Sequence, residues 1–251
     1  MTNIALITGA NKGIGLATAR LLGEAGMTVL IGARNAERGE AAAKALAQDG
    51  LDASFLPLDV TDEASARAAA STVAAAHGRL DILINNAGIA IGDGTRAAPS
   101  QTPLETVRTT FETNVFGVVA VTNALLPLLR ESAAGRIVNV SSEVGSIGSM
   151  LDRASPLWPM ASIPYPASKA ALNMVTAMYA KELAATPIKV NAANPGYCAT
   201  DLNGNTGFRS ALQGAEVCLH LATLPSEGPT GTLWGYLWAS SGEGSYGELP
   251  W

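Results

Sequence analysis

The feature that most constrains this chain is Thr8-Gly9-Ala10-Asn11-Lys12-Gly13-Ile14-Gly15, set between a short apolar run, Ile4-Ala5-Leu6-Ile7, and a helical pattern over 16–25. The order is strand, glycine turn, helix. Gly9 permits a sharp turn, and Gly13 and Gly15 let backbone and ligand approach closely. The free N–H groups and positive dipole end of the helix then face an anion, and a pyrophosphate suits them. The alternative is an ordinary strand-to-helix turn. The position of this turn, straight after a strand at the start of the chain, weighs against it.

The rest of the chain repeats the alternation. Apolar runs at 28–31, 54–60, 80–84, 135–142, 189–194 and 232–237 are predicted strands. Helical patterns cover 40–48, 61–77, 103–130, 165–185 and 214–223. No linker or repeat interrupts them. This predicts an α/β fold: a single Rossmann-type, doubly wound domain over 1–251, with a sheet of about seven parallel strands flanked by helices. Residues 143–164 form no predicted element and carry Pro156, Pro159 and Pro164 among apolar side chains. A structureless insertion of that length reads as a substrate-covering loop. Residues 92–102 read as a polar loop near the site. Trp251 ends a Gly-rich tail and is expected to pack on something, a partner subunit included.

Hydrophobic residues make up 48% of the chain and aromatics only 5%. The core must be mostly Ala, Leu, Val and Ile, which suits a buried parallel sheet. A net charge of −5 with no basic block argues against nucleic acid and against an anionic membrane surface. The two cysteines, Cys198 and Cys218, have no metal-like spacing and point to a reducing compartment. No secretory pattern opens the chain, and no run approaches the roughly 18 apolar residues of a membrane span. The expectation is a soluble cytoplasmic protein.

Ligands bind such sheets outside the carboxyl ends of the strands. The second predicted strand ends at Ala33-Arg34, with Arg38 one helical turn further on. Many NAD-binding folds place a carboxylate here, which would repel a 2′-phosphate, whereas a guanidinium pairs with one. The arginines therefore favour NADP(H), although both could be surface charges and Glu37 argues the other way. Asp59, beside Val60, could accept from an adenine amino group or start a turn. Asn85-Asn86-Ala87-Gly88 ends the fourth strand, where amides can lock neighbouring backbone, face a ligand, or do both. Pro195-Gly196-Tyr197-Cys198-Ala199-Thr200 is a rigid turn with a hydroxyl beyond it.

Tyr165 and Lys169 are four apart and share one helix face. A free phenol must lose roughly three pKa units, about 4 kcal/mol, to serve near neutrality. An ammonium at ~4 Å in an effective dielectric of ~20 supplies about that much. Burial opposes the shift, and a positively charged nicotinamide nearby would assist it. Tyr165 could then give a proton to a carbonyl oxygen as hydride reaches carbon. Ser142, at a strand end, would orient the same oxygen. Asn114 is a poor interior helix residue, so it suggests a kink or a bound water that links Lys169 to solvent.

These motifs together resemble the short-chain dehydrogenase/reductase family: Thr8-Gly9-x3-Gly13-x-Gly15, Asn85-Asn86-Ala87-Gly88, Asn114, Ser142, Tyr165-x3-Lys169 and Pro195-Gly196. They span almost the whole chain. The resemblance implies a catalytic tetrad of Asn114, Ser142, Tyr165 and Lys169, with Lys169 also holding the nicotinamide ribose. The expected cofactor set is Gly9, Asn11, Lys12, Gly13, Ile14, Gly15, Arg34, Arg38, Asp59, Val60, Asn85, Gly88, Tyr165, Lys169, Pro195, Gly196 and Thr200. A narrower likeness, through Ala33-Arg34, Thr113-Asn114-Val115-Phe116-Gly117 and the insertion before Tyr165, is to the NADPH-dependent carbonyl reductases. It implies reversible reduction of a ketone or aldehyde with NADP(H). The alternatives are a 3-oxoacyl thioester reductase and a non-catalytic NADP-sensing module. Ser142, Glu143, Trp158, Met160 and Tyr197 form the expected substrate pocket, suited to an apolar or aromatic carbonyl compound. The family's helix packing also makes a homodimer or homotetramer an expectation.

Overall fold

Successive strand residues point to opposite faces, and the central strands here are apolar on both. In β1 (Ile4–Thr8), Ala5 and Ile7 face one layer while Ile4 and Leu6 face the other. β2 (Thr28–Ala33) and β4 (Ile82–Asn85) split in the same way. Two cores result. One lies under α1 (Gly13–Glu24), α2 (Ala36–Gln48) and α8 (Ala211–Ala222). The other lies under α3 (Glu63–His77), α5 (Gly117–Arg130) and α7 (Pro164–Glu182). Fully buried leucines such as Leu22, Leu125 and Leu129 contribute roughly 1.5–3 kcal/mol each.

The computed structural model describes residues 2–91, 98–238 and 244–251. It has one eight-stranded sheet in the order β3-β2-β1-β4-β5-β6-β7-β8. β3 is Ala53–Pro57, β5 Arg136–Val140, β6 Lys189–Asn194 and β7 Leu233–Leu237. These pair in parallel as expected. The strand order reverses between β1 and β4, which opens a crevice at their carboxyl ends.

Several expectations need correction. The Gly-rich tail supplies an eighth strand, β8 (Ser245–Leu249), antiparallel to β7. Its lone buried Leu249, paired with Leu233, is too weak an apolar pattern to read as a strand, yet it covers the sheet edge. The expected structureless insertion contains a 3₁₀ turn at Glu143–Gly145 and a short helix, α6 (Ile147–Leu151), capped by Ser146. Trp251, expected to pack on something, is 43% exposed within the chain. Most of the loop expected at 92–102 lies outside the described residues. The long helical pattern is α4 (Leu104–Phe111), a π turn at Glu112–Phe116, then α5; the π turn is the irregularity expected at Asn114. By length and composition Leu104–Arg130 could cross a membrane, contrary to the sequence reading, but half of its apolar window is buried inside the fold.

A buried polar chain ties the sheet to its second layer. Asn85 Nδ2 donates to Thr122 Oγ1 on α5 (3.0 Å) and to Asn139 Oδ1 on β5 (2.9 Å). Asn139 Nδ2 then donates to Thr176 Oγ1 on α7 (2.8 Å). This links α7, the helix carrying Tyr165, to the strand leading into Ser142. Removing one member leaves the others buried without partners. Asn139→Ala is expected to lower unfolding free energy by about 2–4 kcal/mol in urea titration. A loss below about 0.5 kcal/mol would remove any stabilising role for the chain.

Candidate active site

The carboxyl edge of the sheet opens into a cleft of about 1170 Å³. At one end is the turn after β1. Gly9 and Gly13 have φ of +63° and +57°, a region that favours glycine. The first turn of α1 has no side-chain cap and no acidic residue, whereas α2, α3 and α8 are capped by Asn35, Asp62 and Ser210. Its N–H groups and dipole are left to an anion from the cleft, so a pyrophosphate fits. Gly9, Asn11, Lys12, Gly13 and Ile14 line this end. Gly15 does not. It lies beneath the turn, where a Cβ would come within 2.4 Å of Asn86 Nδ2.

Asn86, one residue past the predicted Asn85, clamps this end. Its Nδ2 donates to Thr8 O (2.8 Å) and Gly9 O (3.2 Å). The backbone N–H groups of Asn86 and Ala87 donate to Thr8 Oγ1. Asn85, expected among the cofactor residues, is buried in the polar chain above and does not line the cleft, whereas Asn86 and Gly88 do. The two amides were indistinguishable by type. Asn85 is the last residue of β4, whereas Asn86 lies past it in a turn whose N–H reaches Ile84 O (3.0 Å).

Arg34 is exposed on the cleft wall and forms none of the described ion pairs. Arg38 is exposed on α2 and does not line the cleft. Asp59 and Val60 line the cleft, and Asp59 Oδ1 also accepts from Thr61 N (3.0 Å) and Thr61 Oγ1 (2.8 Å). It therefore makes the predicted turn while facing the cleft. On the opposite wall Pro195, Gly196 and Thr200 follow β6. Lys12 Nζ reaches Asp201 Oδ2 at 2.8 Å across the opening. Lys12 holds the Asp201 carboxyl below its usual range, and Arg38 adds to this from a distance. Both paired side chains are exposed, so the bridge contributes little stability.

Ser142, Tyr165 and Lys169 meet at the cleft centre. Gly145 lets the Ser142 loop sit against α7, since a Cβ there would lie 2.7 Å from the Lys169 backbone. Asn173 fastens the same contact, accepting from Ser141 Oγ (2.6 Å) and donating to Gly145 O (3.1 Å). Asn194 accepts from the N–H groups of Glu143 (3.0 Å) and Gly196 (3.3 Å), which joins the loops after β5 and β6. Asn173 and Asn194 carried no sequence signal beyond being polar among apolar neighbours. Asn114 lies fully buried behind the wall. Its amide donates to Ile89 O and Ser168 Oγ, and its Oδ1 accepts from Ile89 N. Both its donors are engaged, so its side chain positions Ile89 and α7.

Lys169 is 3% exposed, donates to Val140 O (2.7 Å) and stands 5.4 Å from the Tyr165 ring centroid. Burial pushes its ammonium down to about 8. Burial pushes the Tyr165 phenol up to about 12, against the pull of its hydrogen bond to Ser142. The expected fall of Tyr165 toward neutrality is not met by the protein alone. Desolvation outweighs an ammonium placed over the ring and held by a carbonyl. At neutral pH the pair is a protonated phenol beside a protonated lysine.

At the far end, Glu143, Met160 and Tyr197 line the cleft as predicted. Trp158 does not. It is 44% exposed, with the Arg153 guanidinium over its ring at 5.1 Å, while its neighbour Leu157 is buried and faces inward. Trp238, from the end of β7, supplies an aromatic wall that no local motif announced.

Comparison with known proteins agrees with this geometry. A short chain dehydrogenase family model matches residues 3–209. The chain is 41% identical over 243 residues to a short-chain dehydrogenase of Penicillium roqueforti, covering 93% of this chain and 92% of the relative. It is 33% identical over 270 residues to carbonyl reductase [NADPH] 1 of Bos taurus, covering 91% and 94%. A gluconate 5-dehydrogenase from Burkholderia cenocepacia, solved in complex with NADP and tartrate, superimposes with a TM-score of 0.79 at 29% identity, covering 93% of this chain and 92% of that one. With the glycine turn, the Ser142, Tyr165 and Lys169 cluster and this match over most of its length, the chain belongs to the short-chain dehydrogenase family of oxidoreductases.

Proposed function

We propose that this protein reduces a ketone or aldehyde to an alcohol with NADPH, reversibly. The carrying observation is the Ser142, Tyr165 and Lys169 cluster at the centre of a cleft whose other end is an uncapped helix start beside Arg34. Gly9, Asn11, Gly13 and Ile14 would hold the pyrophosphate. Arg34 would hold the 2′-phosphate, with Arg38 adding charge behind it. Asp59 and Val60 would meet the adenine, and Gly88, Lys169, Pro195, Gly196 and Thr200 the nicotinamide end.

NADPH, when bound, supplies the hydride. The substrate oxygen sits between the Ser142 hydroxyl and the Tyr165 phenol. As the carbonyl π bond breaks and a C–H bond forms, Tyr165 Oη gives its proton to the oxygen and completes the alcohol. Lys169 stabilises the phenolate left behind. The reverse reaction returns the proton to Tyr165. Tyr165 protonated at neutral pH is the form that reduction requires. The second reading is a 3-oxoacyl thioester reductase: 40% identity over 203 residues to a putative ketoacyl reductase of Streptomyces virginiae supports it, and the net charge of −5 weighs against an acidic carrier.

Tyr165→Phe separates an enzyme from a sensing module. It is expected to lower kcat/KM for ketone reduction by about 10²–10⁴-fold, with NADPH binding by fluorescence titration within a few-fold of the parent. Turnover at the parent rate would overturn the role of Tyr165. Arg34→Ala is expected to cut the NADPH-over-NADH ratio of kcat/KM by about tenfold or more, one charge-assisted contact being worth about 1.5–3 kcal/mol. An unchanged ratio would reduce Arg34 to a surface charge. Lys169 is charged below about 8 and neutral above it, while Tyr165 stays protonated throughout. The kcat/KM for reduction should therefore be level up to about pH 7 and fall as pH rises through 8. A profile flat to pH 10 would remove the Lys169 charge from the step.

A further inference from the structure

The substrate end of the cleft holds a carboxylate that the proton transfer does not use. Glu143 is 7% exposed, and its backbone is fixed by the bond from its N–H to Asn194. Its carboxylate has no hydrogen-bond or ion-pair partner among the described residues, and burial without a counter-charge pushes it up to about 7. Burial disfavours the ionised carboxylate, and a cation entering from the cleft would offset that cost. Perturbed acids of this kind concentrate at binding sites.

Two cavities meet at this residue. Glu143, Pro156, Leu157 and Trp238 line the main cleft and also a smaller cavity of about 110 Å³ that reaches Leu249 and Pro250 of the C-terminal tail. The junction thus presents one acid, one indole and two apolar side chains. The Trp238 ring is held 5.2 Å from Phe208, which packs 6.1 Å from Tyr197. Cations on the cleft wall are engaged or distant. Lys169 Nζ is bound to Val140 O, Lys12 is paired with Asp201, and Arg34 lies at the cofactor end. A neutral hydroxyl would give the carboxylate a hydrogen bond but leave its charge uncompensated. An anion would be repelled. An organic ammonium supplies both a donor and a counter-charge, and gains further from an aromatic face.

We propose that Glu143 and Trp238 form an ammonium subsite that selects carbonyl substrates carrying a protonated amine. This rests on the carbonyl reductase reading and gives it a substrate class. The subsite belongs to the substrate and not to the cofactor.

The test is calorimetric titration of the full chain at pH 8 with the oxidised cofactor NADP+ present, so that no hydride is available for turnover. It compares 4-(dimethylaminomethyl)acetophenone, protonated on nitrogen, with its neutral isostere 4-isobutylacetophenone. The amine is expected to bind at least tenfold more tightly. Glu143→Gln should bring the two within twofold of each other, and Trp238→Leu should reduce the preference at least threefold. A parent preference at or below one, or a preference that survives Glu143→Gln, overturns the subsite. Should Glu143→Gln fail to fold, the anionic 4-acetylphenylacetate reads the same charge in the parent. It must bind at least tenfold more weakly than the isobutyl ketone, and equal binding overturns the proposal. NADPH oxidation with the isobutyl ketone reads the reductase assignment separately. Amine-selective binding without any turnover would sink that assignment and leave the subsite standing.

Discussion

Every strand from β1 to β7 runs in one direction, so every connection between them must cross back over the sheet. The helices that make those crossings bury both faces, and all carboxyl ends fall on a single edge. Residues separated by the whole chain, such as Lys12 and Asp201, become neighbours there. The site is a consequence of this constraint. No one segment contains it.

Two close approaches turn that edge into a site. The absence of a side chain at Gly15 admits Asn86, which locks the glycine turn to the end of β4. The absence of one at Gly145 lets the Ser142 loop rest on the Lys169 backbone. Both contacts are then fastened by amides, the part-buried Asn86 in one case and the buried Asn173 in the other. A satisfied amide in a low-dielectric interior holds geometry more rigidly than apolar packing does. Tyr165 and Lys169 are thereby set against Ser142 in a place dry enough to oppose charge on either. The same dryness shapes Glu143, further along the cleft, where no fixed counter-charge was supplied.

Much of this was legible in residue types and spacing. The glycine turn, the strand–helix alternation and the four-residue step from Tyr165 to Lys169 each follow from a local geometric rule. Where legibility failed, the missing information was direction. Asn85 and Asn86 are the same residue type, and only the point at which β4 ends and the chain turns decides which one faces the cleft. Leu157 and Trp158 were exchanged for the same reason, because the turns of their loop cannot be read from composition. β8 has one buried apolar residue, and its strand geometry comes from pairing with β7 rather than from its own pattern.

The sequence by itself determined the fold class, the order of strands and helices along the chain and the placing of Tyr165 and Lys169 on one helix face, because those depend on periodicity and spacing within single elements. Tertiary structure alone decided the charge states. Tyr165 was expected to be pulled down by Lys169 with a charged nicotinamide nearby, and in the chain by itself burial pushes it up instead. It also decided that Glu143 would stand buried and unpaired beside Trp238, a residue nearly a hundred positions away. Solvation and long-range proximity are properties of the assembled layers, and no local pattern encodes them.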